Sequence, residues 1–165
     1  MILSIRVDDR LIHGQVALVW TKEFNASRIV VANDEAATNQ LMQATLQMAT
    51  PTGIKLLIKS VSESISIFND PRAQELKLFV LTNCIADALK IVQECENVNS
   101  VNVANVGRFD KVPNSEKTKL NSNVFVSKAE LEALKVLVTM PLPVYHQVIP
   151  SNSKVTVEHL IKNLA

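Results

Sequence analysis

The sequence predicts an α/β domain: one open, twisted, mostly parallel sheet with helices on both faces. Three observations carry that expectation. Apolar runs of strand length alternate with helical apolar patterns almost from end to end. A length of 165 residues suits one domain, and a chain of this size buries about 70% of the surface its unfolded form exposes. No internal repeat or linker-like stretch divides it, so residues 1–165 read as one unit.

Residues 2–7 read as the first strand, and Val16, Trp20 and Phe24 mark the inner side of the first helix. Residues 28–32 form a second strand ending at Asn33-Asp34. A mostly uncharged helix from about residue 35 to 49 follows, stopped by Pro51 and a turn at Gly53. Residues 54–58 are the third strand, with Val61, Ile65 and Phe68 as a helical stripe behind it. After the break at Asp70-Pro71 come a fourth strand (76–81), a helix whose apolar row Ile85, Leu89, Val92 continues to Cys95, and a fifth strand (100–104). Residues 110–123 are polar and read as a long surface loop with room for a hairpin. Val124-Phe125-Val126 is a short strand. Ser127 and Glu130 have the form of a capping box, opening a helix with Leu131, Leu134 and Val138 inward. Pro141 and Pro143 bracket the entry to a last strand (144–149), and Thr156 caps a final helix carrying Val157, Leu160, Ile161 and Leu164.

A hydrophobic content of 47% with 20% charged residues is ordinary for a soluble globular chain. The formal net charge of +1 supplies no field to gather nucleic acid or an anionic membrane, so any positive charge that matters is local. No apolar run approaches the ~18 residues of a membrane span. The early charges Arg6, Asp8, Asp9 and Arg10 argue against a signal peptide. A cytosolic protein without direct membrane insertion is expected. Cys84 and Cys95 match neither a CxxC nor a metal-ligand spacing and read as buried structural thiols. With no GxxxxGK[ST] loop and no clustered ligands, neither a nucleotide, a metal nor another cofactor is expected.

Chemistry concentrates just after the first strand, in Asp8-Asp9-Arg10-Leu11-Ile12-His13-Gly14-Gln15-Val16. In an open α/β sheet such a turn lies at the carboxyl edge of the strands, where ligands bind. His159 reads as a surface residue of the final helix, and His146 as a structural histidine in a half-buried strand. His13 has different company. Neutral imidazole is a nucleophile or base at neutral pH. Arg10 can neutralise phosphate oxygens through two parallel hydrogen bonds. At roughly 4 Å and an effective dielectric near 20, one charge pair is worth on the order of 4 kcal/mol before desolvation. Gly14 and Gln15 begin the first helix, where backbone N–H groups and the helix dipole favour an anion. Those parts make a phosphoryl site. One of Asp8 and Asp9 is expected to hold Arg10 or the loop backbone and the other to orient the imidazole, without the sequence separating them. A solvated charged turn with an incidental histidine is the competing reading.

The stretch Arg6-Val7-Asp8-Asp9-Arg10-Leu11-Ile12-His13-Gly14-Gln15-Val16 resembles the signature R-I-D-D-R-L-I-H-G-Q-V, differing only by Val7 for isoleucine. That signature belongs to the IIB component of mannose/fructose/sorbose-family sugar phosphotransferase systems. The resemblance continues through Val30-Val31-Ala32-Asn33-Asp34-Glu35, Pro51-Thr52-Gly53-Ile54-Lys55 and Gln147-Val148-Ile149-Pro150. It implies that His13 accepts a phosphoryl group through Nδ1 from a phosphohistidine on a IIA partner. It further implies transfer to a sugar held by membrane-embedded IIC and IID components, with Arg10 neutralising the group and the protein at the inner face of the cell membrane. The sugar and the oligomeric state stay open.

One segment departs from the pattern. Asn105-Val106-Gly107-Arg108-Phe109 stands where the family more often has a second small residue after the glycine. In a parallel sheet this turn shares an edge with His13, so Asn105, Gly107 and Arg108 join the candidate site. Arg108 then adds a positive group near the phosphate, alters a docking face, or is a surface arginine without a role. Arg6, inside an apolar strand, either approaches the site or sits at the sheet surface. Leu11 and Ile12 either contribute to a partner-contact surface or anchor the loop to the core. Two rival functions are a regulatory module that senses a phosphorylated ligand and an aspartate-phosphorylated receiver. A receiver needs an aspartate after its third strand, which here ends Ile58-Lys59-Ser60.

Overall fold

The computed structural model describes residues 1–164. Strand β1 (Ile2–Asp8) is followed by α1 (Gly14–Phe24), β2 (Arg28–Ala32), α2 (Asp34–Thr38), α3 (Gln40–Ala49) and β3 (Lys55–Lys59). Then come α4 (Val61–Phe68), β4 (Leu78–Thr82), α5 (Ile85–Glu94) and β5 (Val101–Asn105). The chain closes with β6 (Thr118–Lys119), β7 (Phe125–Val126), α6 (Lys128–Leu137), β8 (Val144–His146), β9 (Val155–Thr156) and α7 (Val157–Lys162). The main sheet has the order β3-β2-β4-β1-β5-β8-β9. Its pairings are parallel except β8 with β9. The expected α/β class with an open, mostly parallel sheet is what the chain adopts.

Helices cover both faces, and the core divides accordingly. On one side α1, α2 and α3 bring Ala17, Trp20, Ala36 and Leu46 against Ile29, Val31, Phe79 and Leu81 of the sheet. On the other, α4, α5, α6 and α7 bring Ile65, Ile91, Leu134 and Val157 against Ile5, Val7, Val80 and Val103. The alternation within β1 fits this division. Ile5 and Val7 enter the second layer, while Arg6 turns toward α1, its guanidinium 5.6 Å from the Trp20 ring centroid.

Several sequence boundaries shift. The helix expected over residues 35–49 is two helices, because Asn39 leaves helical geometry (φ −111°, ψ 102°) and its side chain accepts the Met42 N–H at 3.0 Å. Cys95 does not belong to α5; it is the extended residue that ends it, and it is buried. The last parallel strand stops at His146. Beyond it the Asn102 side chain takes over the pairing: Asn102 Nδ2 donates to the Gln147 carbonyl at 2.8 Å and Gln147 N–H donates to Asn102 Oδ1 at 3.0 Å. Of the strand expected at Val124-Phe125-Val126, Phe125 and Val126 pair with β6 as a separate hairpin outside the main sheet, while Val124 forms an isolated parallel bridge to Val106.

The capping box at Ser127 is only half present. Ser127 Oγ accepts the Glu130 N–H at 3.3 Å, but the Glu130 carboxylate reaches across to α5, accepting the Ile85 and Ala86 N–H groups at 2.7 and 2.9 Å. Ser60 and Glu63 form the reciprocal box, at the start of α4.

Candidate functional site

Parallel strands deliver their carboxyl ends to one edge, and β1 and β5 are neighbours there, with Asp8 opposite Asn105. The register shifts between Val7 and Asp8, which turns the Asp8 side chain into the gap between the strand ends. Asp8 is fully buried and collects the site around it. Oδ2 accepts from Arg6 Nη2 at 3.2 Å and from Asn105 Nδ2 at 3.0 Å; Oδ1 accepts the Arg10 backbone N–H at 3.1 Å. A buried carboxylate is tolerable only when paired and hydrogen-bonded, and Asp8 is both.

Arg6 is therefore not at the sheet surface. It is buried, with Asp8 on one side, the Gln147 carbonyl 3.3 Å from Nη1 and the Trp20 ring beneath it. Burial pulls its guanidinium below the ordinary value, and Asp8 opposes that pull. Nothing in local spacing connects Arg6 to Asn102, Gln147 and Trp20, which together hold its surroundings. Trp20 itself is tied to the same loop by Nε1 donating to the Val148 carbonyl at 3.0 Å.

From Asp8 into the first residue of α1 the backbone bends through two left-handed residues, Leu11 (φ 57°) and Gly14 (φ 48°). Glycine accepts that conformation freely; leucine does so at a cost of about 1–3 kcal/mol, met here by burial. Leu11 and Ile12 are 3% and 5% exposed and pack into the α1–α3 layer. The idea that they form a contact surface is thus overturned: they anchor the turn.

The anchor leaves His13 half-buried at the start of α1, extended (φ −152°) and making no side-chain cap to that helix. Gly14 and Gln15 follow as its first, exposed residues. Arg10 Nη2 lies 2.5 Å from His13 Nε2, so the guanidinium donates and Nε2 is the ring's acceptor nitrogen. Nδ1 is buried without a hydrogen-bond partner among the described residues, 3.8 Å from Asp8 Oδ1. Burial lowers the ring's affinity for a second proton below the ordinary 6.5; Asp8 opposes, while Arg10 and Arg6 reinforce. Asp8 accordingly holds the loop backbone and stands near the imidazole without a hydrogen bond to it.

Asp9 does something else. Its carboxylate accepts from Arg108: Nη2 at 2.6 Å and Nε at 3.1 Å, with the Arg108 backbone N–H at 3.0 Å. The Asn105–Arg108 turn and the His13 turn are thus joined side chain to side chain. Gly107 seats the Arg108 turn against β7. At φ 89° it places its Cα so near β7 that a Cβ would lie 1.9 Å from the Phe125 carbonyl oxygen.

The remaining candidates stay apart. His146 is structural, Nδ1 lying 2.7 Å from the Val103 carbonyl, and His159 is exposed on α7. Cys84 and Cys95 are free thiols pushed up to about 12 and about 11, chiefly by burial. No helix among the described residues is long and apolar enough to cross a membrane.

An open α/β sheet whose strand edge gathers one imidazole, three guanidinium groups and a buried carboxylate defines a class of small domains that handle anions. The comparisons with known proteins narrow that class. Residues 2–165 match the family described as PTS system sorbose subfamily IIB component. A probable phosphotransferase enzyme IIB component of Streptococcus pyogenes is 54% identical over 162 residues, covering 98% of this chain and 99% of the relative. The mannose-specific EIIAB component of Escherichia coli is 35% identical over 132 residues, 80% of this chain but 39% of that longer protein. The crystal structure of the IIBSor domain of the sorbose permease from Klebsiella pneumoniae superposes with a TM-score of 0.90 at 27% identity, covering 100% and 98% of the two chains.

The chain belongs to the sorbose subfamily of IIB components of sugar phosphotransferase systems. Its activity is phosphoryl transfer in sugar uptake, in systems whose IIB components work with IIA and permease components.

Proposed function

We propose that His13 is the phosphoryl carrier, loaded by phosphohistidine on a IIA protein or domain and unloaded to a sugar held by a IIC/IID permease. The reaction then takes place at the cytoplasmic face of the membrane. The observation that carries this reading is the pairing of a neutral, half-buried imidazole with Arg10 at 2.5 Å, at the uncapped start of α1. A lone pair on His13 attacks phosphorus in line; a new N–P bond forms as the donor's N–P bond breaks, and that electron pair returns to the donor imidazole. No net proton is exchanged, because each ring keeps the proton on its other nitrogen. Such a transfer asks little of a protein beyond a positioned nucleophile and compensation of charge. Arg10 supplies the compensation, with the Gly14 and Gln15 amides beside it. Transfer through Nδ1 requires the ring to turn, bringing that nitrogen from the Asp8 side to the open side, and the ring proton to move from Nδ1 to Nε2, which gives up its bond from Arg10.

The test is incubation with phosphoenolpyruvate, the general phosphotransferase proteins and IIA. The expected product carries an alkali-stable, acid-labile phosphate that is lost in His13→Ala. Phosphate that persists in His13→Ala, or is labile in both acid and alkali, removes His13 from this role.

A further inference from the structure

We propose that Arg108 is a second phosphate-binding guanidinium, held on Asp9 until a phosphoryl group arrives on His13 and then exchanged onto it. This rests on His13 being the carrier. The geometry starts from one atom. Asp8 Oδ1 has Arg108 Nη2 at 4.0 Å, Arg10 Nε at 3.9 Å and His13 Nδ1 at 3.8 Å. Two guanidinium groups and the imidazole therefore surround a single carboxylate oxygen, and Arg108 Nη2 lies within about 8 Å of the ring nitrogen. Once the ring has turned Nδ1 to its open side, the phosphoryl group stands away from Asp8, and rotation within the long arginine side chain carries the guanidinium to it.

Charge points the same way. Asp8 and Asp9 carry two negative charges, and Arg6, Arg10 and Arg108 carry three positive ones. Arg6 is buried on Asp8 and cannot leave. A phosphoryl group adds close to two negative charges. Arg10 answers one of them, and Arg108 is the remaining mobile cation, its side chain 31% exposed. Its bond to Asp9 is a two-pronged one to a carboxylate only 6% exposed, so the exchange is driven by what the phosphoryl group offers in its place. The phosphoryl group offers more charge and three acceptor oxygens. Asp9 is not stranded by the exchange. The Arg108 backbone N–H, fixed by the Gly107 turn, still donates to Oδ2 at 3.0 Å. The tether therefore has a permanent half and a releasable half.

The experiment measures the equilibrium between phospho-IIA and phospho-His13 in the full chain, with unfolding of each unphosphorylated variant followed alongside. Arg108→Gln is expected to shift the equilibrium toward phospho-IIA by about tenfold, and Arg108→Lys to recover part of the loss. Asp9→Asn is expected to shift it the other way, because it frees Arg108 and removes a nearby negative charge. If Arg108 serves only to hold the loop, Asp9→Asn and Arg108→Gln fall together, and the proposal is overturned. It is equally overturned if Arg108→Gln matches the native protein while His13 is phosphorylated normally. If the native protein takes no phosphoryl group on His13, the carrier reading fails instead.

Discussion

The chemistry of single side chains in this protein is set by what surrounds Asp8. Because burial holds His13 below 6.5, the neutral ring with its free lone pair persists to lower pH than in free imidazole. The rate of phosphoryl acceptance from phospho-IIA is therefore expected to stay flat above pH 6.5 and to fall only below it. Rates across pH, with an NMR titration of the ring, check this; a decline beginning well above 6.5 contradicts it. Folding carries the same sign. The unfolded ring takes up its proton near 6.5 while the folded ring resists, so stability decreases as pH drops through that value toward the folded one. His146, also lowered chiefly by burial, adds to the same trend.

At the scale of elements, two helix starts at the strand edge are treated differently. The first amides of α5 are taken by Glu130, whereas no side chain caps α1. Glu130→Ala is expected to cost about 1–2 kcal/mol, since it leaves two amides at a partly buried helix start without their acceptor. Urea denaturation measures this, and Glu130→Gln should recover part of it. The same residue shows where the sequence was readable and where it was not. Strand and helix alternation was legible because apolar spacing is local, and the reactive turn was legible because its residues are consecutive. The reach of Glu130 to α5 and the exchange of pairing between Asn102 and Gln147 span 45 positions, and nothing in local spacing announces them. Asn39 is a nearer miss: an asparagine inside a helical pattern is a cap signal that an otherwise mostly uncharged stretch conceals. Arg108 stood in the right turn, but its partner Asp9 is 99 residues away, so only the folded chain joins them.

At the scale of the whole molecule, the sheet divides the core into two apolar layers, and the reactive turn belongs to only one of them. Leu11→Ala is expected to lower stability by about 2–4 kcal/mol, as a truncated core residue does, in chemical denaturation. An unchanged stability together with a weakened IIA encounter would return Leu11 to a contact surface. With Leu11 and Ile12 seated against α1 and the strands beneath it, the loop bearing His13 has no independent hinge. Transient opening of the turn requires the α1–α3 layer to loosen with it, so the two breathe as one cooperative unit. The reactive histidine thus inherits its lifetime in working geometry from the smaller of the two cores.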